Sequence, residues 1–388
     1  LTPYRYLYAS DFHGLARLAV DGVAGTSHLV EHLHATIART AFPVGPPARE
    51  RSRGISGMVY RSIRGINAAV GVSIDAIASP FVARQTKTGA SGTREHWIAV
   101  LNGVLGDHLA TSDNPLAIPM SFRLGGESLA LERPALAERI EAPTGKLLIA
   151  VHGLCMNDLH WETAGENGER RPGVPARLSS ALGYTPLYLH YNSGRRVSEN
   201  GNDFATLLEA LVETWPVPVE SITILGHSMG GLVARSALDR GLRQGLRWPG
   251  SLERMVYLGT PHHGAPLERA GHRFESLLGM SPYSAPFKRL GGIRSAGIID
   301  LRHGGLPVSS AGVEEFAIAA TARTRAGGLT GGFLGDELVP LDSALGQHPD
   351  PAQALDIPED RRRILTGAGH WALMHHPEVY RSLRRWLR

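Results

Sequence analysis

Apolar positions along the chain change period, and each change marks an element boundary. Leu15, Leu18, Gly22, Thr26, Leu29, Leu33 and Ile37 recur at spacings of three and four, and so do Ile55, Met58, Ser62, Ile66, Ala69, Ser73 and Ile77. This periodicity predicts two amphipathic helices. Trp97, Leu101, Val104, Leu105 and Leu109 form a shorter third stripe. Pro43, Gly45, Pro46 and Pro47 separate the first two, and the polar run 85–94 separates the second from the third. Residues 1–112 therefore read as a helical N-terminal extension. Its stripes need a partner: one another and the rest of the protein, the mouth of a site as a cap, or a lipid interface or second subunit.

After Asn114-Pro115 the pattern becomes alternating. Ile118, Met120, Phe122 and Leu124 alternate, Gly125-Gly126 turns the chain, and Leu129 and Leu131 alternate back, which predicts a hairpin. A second domain is therefore expected over 113–388. Its apolar runs at 146–151, 186–190, 221–225, 254–258, 313–320 and 363–366 read as buried parallel strands, with helices at 203–215 and 371–387. Strands alternating with helices predict an α/β fold with a mostly parallel central sheet, an antiparallel edge hairpin, and a site at the strand C-termini. The span 261–312 exceeds what a crossover needs and reads as a cap-like insertion above the site, with the loop 156–175 as the opposite wall.

Composition excludes more than it identifies. The 388 residues are 43% hydrophobic and 20% charged, an ordinary globular balance. Forty basic against 36 acidic side chains are too even for a nucleic-acid binder. One cysteine precludes an internal disulfide and fits a reducing, cytoplasmic compartment. The first residue is Leu1, not methionine, which leaves export open. His28, His32 and His34 lack a suitably spaced acidic partner and read as a surface helix, so no metal is expected. Gly291-Gly292 and Gly327-Gly328 lack the flanking strand and helix of a phosphate or dinucleotide loop, so no cofactor is expected.

The chemistry concentrates at Gly226-His227-Ser228-Met229-Gly230, between an apolar strand and a helix starting Gly231-Leu232-Val233. Strand, sharp turn and helix make a nucleophile elbow, with Ser228 as nucleophile and the Met229 amide as one oxyanion donor. Upstream, His152-Gly153-Leu154 ends a strand, so the Leu154 amide is the candidate second donor and His152 a loop-packing residue. Cys155 beside it has no histidine pattern to make it a nucleophile. Asp336, after the strand 313–320, is the candidate orienting acid, with Asp342 as fallback. His370 follows the last strand, where a general base completes the order Ser, Asp, His. His375 and His376 fall in the expected final helix, facing away from that loop or packing against it.

Together these motifs, with Leu258-Gly259-Thr260-Pro261-His262-His263-Gly264 and His376-Pro377-Glu378-Val379-Tyr380, resemble an α/β-hydrolase of the lipase and esterase type. More narrowly, they resemble bacterial relatives of the GPI inositol-deacylase-like lipases. The resemblance covers 146–380 and implies a triad of Ser228, Asp336 and His370 acting on a small, lipid-like or polymeric ester, with His262 and His263 in a structural loop near the pocket. A thioesterase, an amidase, a polyester depolymerase or an acyltransferase would use the same triad. A catalytically idle ligand-binding member of the fold is the reading outside the enzyme class.

Overall fold

The computed structural model describes residues 8–37, 54–83, 92–164, 170–265, 295–303, 312–322 and 338–388. Ten strands are formed among them: β1 (Ser121–Leu124), β2 (Glu127–Ser128), β3 (Lys146–Val151), β4 (Thr163–Ala164), β5 (Arg170–Arg171), β6 (Thr185–His190), β7 (Ser221–His227), β8 (Leu252–Leu258), β9 (Glu314–Thr321) and β10 (Arg362–Thr366). Eight build one sheet in the order β10-β9-β8-β7-β3-β6-β1-β2, and β4 and β5 pair separately. Strand β1 runs antiparallel to both β2 and β6, and every other pairing in the sheet is parallel. This is the α/β-hydrolase fold. The edge hairpin turns at Gly125 and Gly126, whose φ of 63° and 82° side-chain-bearing residues rarely adopt.

The apolar runs are continuous because the central strands are covered on both faces. Leu147, Ile149 and Val151 of β3 pack on one side with Phe204, Leu208 and Leu211 of the helix Val197–Thr214, while Leu148 and Ala150 pack on the other with Val174 and Leu178. Successive side chains of a strand point to opposite faces, so one strand feeds both layers.

The chain divides into two compact units, one of Leu1–Arg94 and Thr111–Ala117, the other of Glu95–Ala110 and Ile118–Arg388. Residues 95–110, which the helical pattern groups with the extension, thus belong with the sheet. They form most of helix α3 (Gly92–Thr111), following α1 (Ala9–Ile37) and α2 (Gly54–Ala83). Val100 and Val104 join the sheet's core, the Ile118 amide donates to Asn102 Oδ1 at 2.9 Å, and Asn192 Nδ2 donates to the Gly106 carbonyl at 2.8 Å. At Gly103 a Cβ would stand 2.2 Å from the Cys155 sulfur, so only glycine allows this approach.

In the other unit, α1 and α2 meet through polar groups. Asn67 Nδ2 donates to the Val20 carbonyl at 2.8 Å, His13 Nε2 lies 2.6 Å from Asp75 Oδ1, and Arg64 pairs with Glu31. Met58, Ile66 and Ile77 of the predicted second stripe are 57%, 67% and 69% exposed. Helix α2 carries apolar side chains on more than one face, so period alone does not select the buried one. The bonds of Arg64 and Asn67 do. Among the described residues no helix is long and apolar enough to cross a membrane.

Two helix boundaries differ from those predicted. After α4 (Arg133–Arg139) and α5 (Val174–Leu182), α6 (Val197–Thr214) begins six residues before 203. The Val197 amide donates to Asp300 Oδ2 at 2.8 Å, so a carboxylate remote in sequence stabilises this start. The final helix is Pro377–Trp386, preceded by a short turn His370–Met374. His376 lies outside it, its Nδ1 accepting from the Glu378 amide at 3.2 Å, because Pro377 favours the first helical turn.

Gly103→Ala should lower unfolding free energy by about 1–3 kcal/mol through overpacking. Gly22→Ala, where a Cβ meets nothing within 4 Å, should raise it by up to about 1 kcal/mol. Urea denaturation of both variants checks the pair, and a neutral Gly103→Ala would show that α3 is not packed into the sheet's unit.

Candidate active site

Strand β7, buried throughout, delivers the chain to Ser228, and helix α7 (Met229–Gln244) starts at the next residue. Ser228 sits at φ 51° and ψ −123°, a backbone conformation costly for a residue with a Cβ. The surroundings hold it there. Its amide donates to the Leu258 carbonyl at 2.8 Å, and its carbonyl accepts from the Gly231 amide at 3.1 Å. A Cβ on Gly226 would lie 2.6 Å from the Gly231 backbone, and one on Gly230 would lie 2.3 Å from the Val151 carbonyl oxygen. Both glycines of the pentapeptide are therefore required by backbone-to-backbone approach. As the first residue of α7, Met229 has an amide that the helix itself does not satisfy.

The loop leaving β3 approaches the same turn. A Cβ on Gly153 would stand 3.1 Å from Ser228 Cβ and 3.2 Å from His227 Nδ1. His152 is fully buried and stacks on Tyr191 with ring centroids 4.3 Å apart. Its Nδ1 lies 2.9 Å from the Gly153 carbonyl oxygen, which can only accept, so Nδ1 carries the proton and Nε2 accepts from the Tyr191 amide at 3.4 Å. The Tyr191 hydroxyl donates to the His152 carbonyl at 2.8 Å. Burial pushes His152 down to about 3, so the ring stays neutral, packed into the loop as the sequence suggests. Just beyond Leu154, the Cys155 amide donates to Ser193 Oγ at 3.0 Å, and burial pushes the thiol up to about 12. Such a thiol is not ionised at neutral pH.

His370 opens the turn after β10 and is 4% exposed. Gly259, at φ 63°, makes room for it, since a Cβ there would lie 2.9 Å from His370 Cε1. Ser228, His227 and His370 line one pocket with Leu154, Met156, Pro261, Leu301, Val339 and Trp371, about 500 Å³ counting its open mouth. Asp336 lies outside the described residues. Asp342 is exposed at the start of the short helix Leu341–Ala344 and does not line the pocket. Of the insertion at 261–312, Pro261, Ala265 and Leu301 reach the pocket. Met156 does so from the loop 156–175, whereas Trp161 is buried in the core beneath.

His262 is buried, with Arg235 Nη1 3.2 Å from its Nδ1 and the Tyr257 ring edge-on at 4.5 Å. Burial, with the Arg235 charge beside it, holds it well below the usual histidine range. The His263 amide donates to Ser343 Oγ at 3.1 Å and the Ser343 hydroxyl donates to the Gly264 carbonyl at 3.1 Å, so the Thr260–Gly264 loop is pinned by the short helix Leu341–Ala344. Sequence reasoning missed Tyr191 and Ser193, which brace the loop 152–155. The signal was present in the unbroken polar-aromatic stretch following β6.

A family model described as the PGAP1-like alpha/beta domain matches residues 191–286, a span that contains the elbow. Comparison with curated proteins gives no match. Among solved structures, the mature form of a Bacillus licheniformis lipase aligns at 17% identity over 64% of this chain and 95% of its own, with a TM-score of 0.42. A Pyrobaculum calidifontis esterase aligns at 13% identity over 78% and 92%, with a TM-score of 0.41. A Pyrococcus furiosus esterase aligns at 16% identity over 63% and 85%, with a TM-score of 0.39.

The buried histidines make stability depend on acidity. Burial pushes His152 and His160 down to about 3 and holds His227 and His262 well below their ordinary value. In the unfolded chain each takes a proton near ~6.5, so below that pH the unfolded state binds more protons and stability falls as pH drops. The melting temperature should decline steadily from pH 6.5 to 4.5 and stay level from 7 to 8. A level profile down to 4.5 would mean these rings are not buried neutral.

Proposed function

We propose that the protein is a serine hydrolase that cleaves carboxylic esters through an acyl-enzyme. The observation that carries this reading is Ser228 at φ 51° between β7 and α7, in a pocket that also holds His370. Strain at a solvent-accessible serine costs free energy and persists only where the surroundings impose it, and such sites cluster at reaction centres.

In this mechanism Ser228 Oγ attacks the ester carbonyl carbon while His370 takes the hydroxyl proton. The Leu154 and Met229 amides stabilise the oxyanion of the tetrahedral intermediate, Met229 with the positive end of α7 behind it. Collapse breaks the bond to the alcohol oxygen, and His370 returns the proton to the departing alcohol. Water, deprotonated by His370, then attacks the acyl-enzyme and releases the acid. Asp336 holds the histidine tautomer, a role it takes from its place in the chain after β9. The apolar wall of Leu154, Met156, Pro261, Leu301 and Val339 suits the hydrocarbon of an acyl chain, which gains by leaving water. The substrate is a small-molecule, lipid-like or polymeric ester.

Ser228→Ala should lower turnover of p-nitrophenyl esters at least ~10³-fold with the fold intact, and a fluorophosphonate should label Ser228 alone. More than a tenth of wild-type turnover in that variant removes Ser228 from the mechanism. Asp336→Asn should cost ~10²-fold or more in kcat and Asp342→Asn under tenfold. The opposite order would transfer the acid's role to Asp342.

A further inference from the structure

His227, the residue before the elbow serine, is fully buried, and its side chain makes one bond whose direction can be assigned. Nε2 lies 3.2 Å from the backbone carbonyl oxygen of His370. A carbonyl oxygen only accepts, so Nε2 carries the proton and Nδ1 is the bare nitrogen. Nδ1 is buried with no hydrogen-bond partner among the described residues. Leaving a buried acceptor unsatisfied costs free energy, which a leucine or phenylalanine of similar volume would avoid. Packing alone therefore does not account for histidine here. The bond made by Nε2 does.

That bond joins two segments that must be held in register. His370 follows Gly367, Ala368 and Gly369, with Gly367 at φ 70°, a stretch with little intrinsic stiffness. His227 is covalently next to Ser228, and its ring centroid lies 4.8 Å from that of His370. We propose that His227 is a positioning residue, whose Nε2–H bond to the His370 carbonyl holds the loop of the general base against the nucleophile elbow. The proposal rests on the serine-hydrolase reading of Ser228 and His370. Only a neutral ring with its proton on Nε2 serves as this tether while leaving the buried Nδ1 uncharged. A displacement of about 1 Å between base and nucleophile is enough to cost ~10²-fold in rate.

The test compares H227L, which removes the donor, with H227Q, whose amide nitrogen reaches the position of Nε2. Expected for H227L is a ~10–100-fold fall in kcat on p-nitrophenyl esters, KM within about threefold of wild type, and a matching fall in the rate of fluorophosphonate labelling at Ser228. H227Q should recover most of the loss. H227L within threefold of wild-type kcat, or H227Q as impaired as a folded H227L, overturns the proposal. Histidine-selective ¹⁵N NMR on the S228A protein, with the His227 signal identified by its loss in S228A/H227Q, decides the case even if H227L does not fold. A neutral Nε2–H tautomer is expected at pH 7, and an Nδ1–H tautomer or a charged ring overturns the tether. If wild-type protein shows neither esterase activity nor Ser228 labelling, the hydrolase reading fails, and the tautomer still reports on the bond separately.

Discussion

The left-handed backbone at Ser228 is the constraint on which the arrangement around the pocket depends. A non-glycine residue at φ 51° pays a steric cost, and the neighbourhood repeatedly excludes side chains so that this conformation is retained. Gly226 admits the start of α7, Gly230 lets that helix pass the carbonyls of Val151 and His152, and Gly231 fits against Thr260, where a Cβ would lie 2.1 Å from the hydroxyl. Three successive strands of the sheet are therefore in backbone or near-backbone contact with a single turn. Loosening any of them would let Ser228 relax toward an ordinary conformation and withdraw its hydroxyl from the pocket.

Polar groups around this turn are spent on shape and carry little charge. Tyr191 binds both the ring and the carbonyl of His152, Ser193 takes the Cys155 amide, and His227 ties the His370 carbonyl. Desolvation keeps these histidines neutral, so neither His152 nor His227 brings a fixed positive charge to the turn. Burial thus stabilises the wall by taking it out of water. The cost is sensitivity to acid, because each neutral ring is a proton acceptor once the chain unfolds.

Helix α3 shows how the site draws on residues distant in sequence. Its Gly103 face meets Cys155 directly, and its Gly106 carbonyl anchors Asn192, so it braces the segments that follow β3 and β6. Asp107 adds a further tie by accepting from the Ala296 amide at 2.9 Å, at the start of the helix that brings Leu301 to the pocket. In the other unit, α1 and α2 are joined by His13–Asp75, Asn67–Val20 and Arg64–Glu31, groups that lie between residues 13 and 31 of α1 and between 64 and 75 of α2.

The sequence by itself determined the elements whose signals are local. The runs 146–151 and 221–225 read as buried strands because they are short, apolar and bounded by turn residues, and the pattern Gly226 to Gly230 specifies the elbow between strand and helix. Ser228 and His370 were legible as candidates from their positions after strands. Tertiary structure decided what depends on meeting a remote partner. The start of α6 follows Asp300, the buried face of α2 follows Glu31 and Val20, and the membership of α3 follows Cys155 and Asn192. The donor role of His227 was equally hidden, since a histidine inside the pentapeptide carries no sign of which nitrogen holds its proton until the His370 carbonyl is brought 3.2 Å away. Periodicity reports that a face is apolar and turn chemistry reports that a chain must bend, but which surfaces and hydrogen-bonding groups come together is settled only when segments far apart in the chain compete for the same contacts.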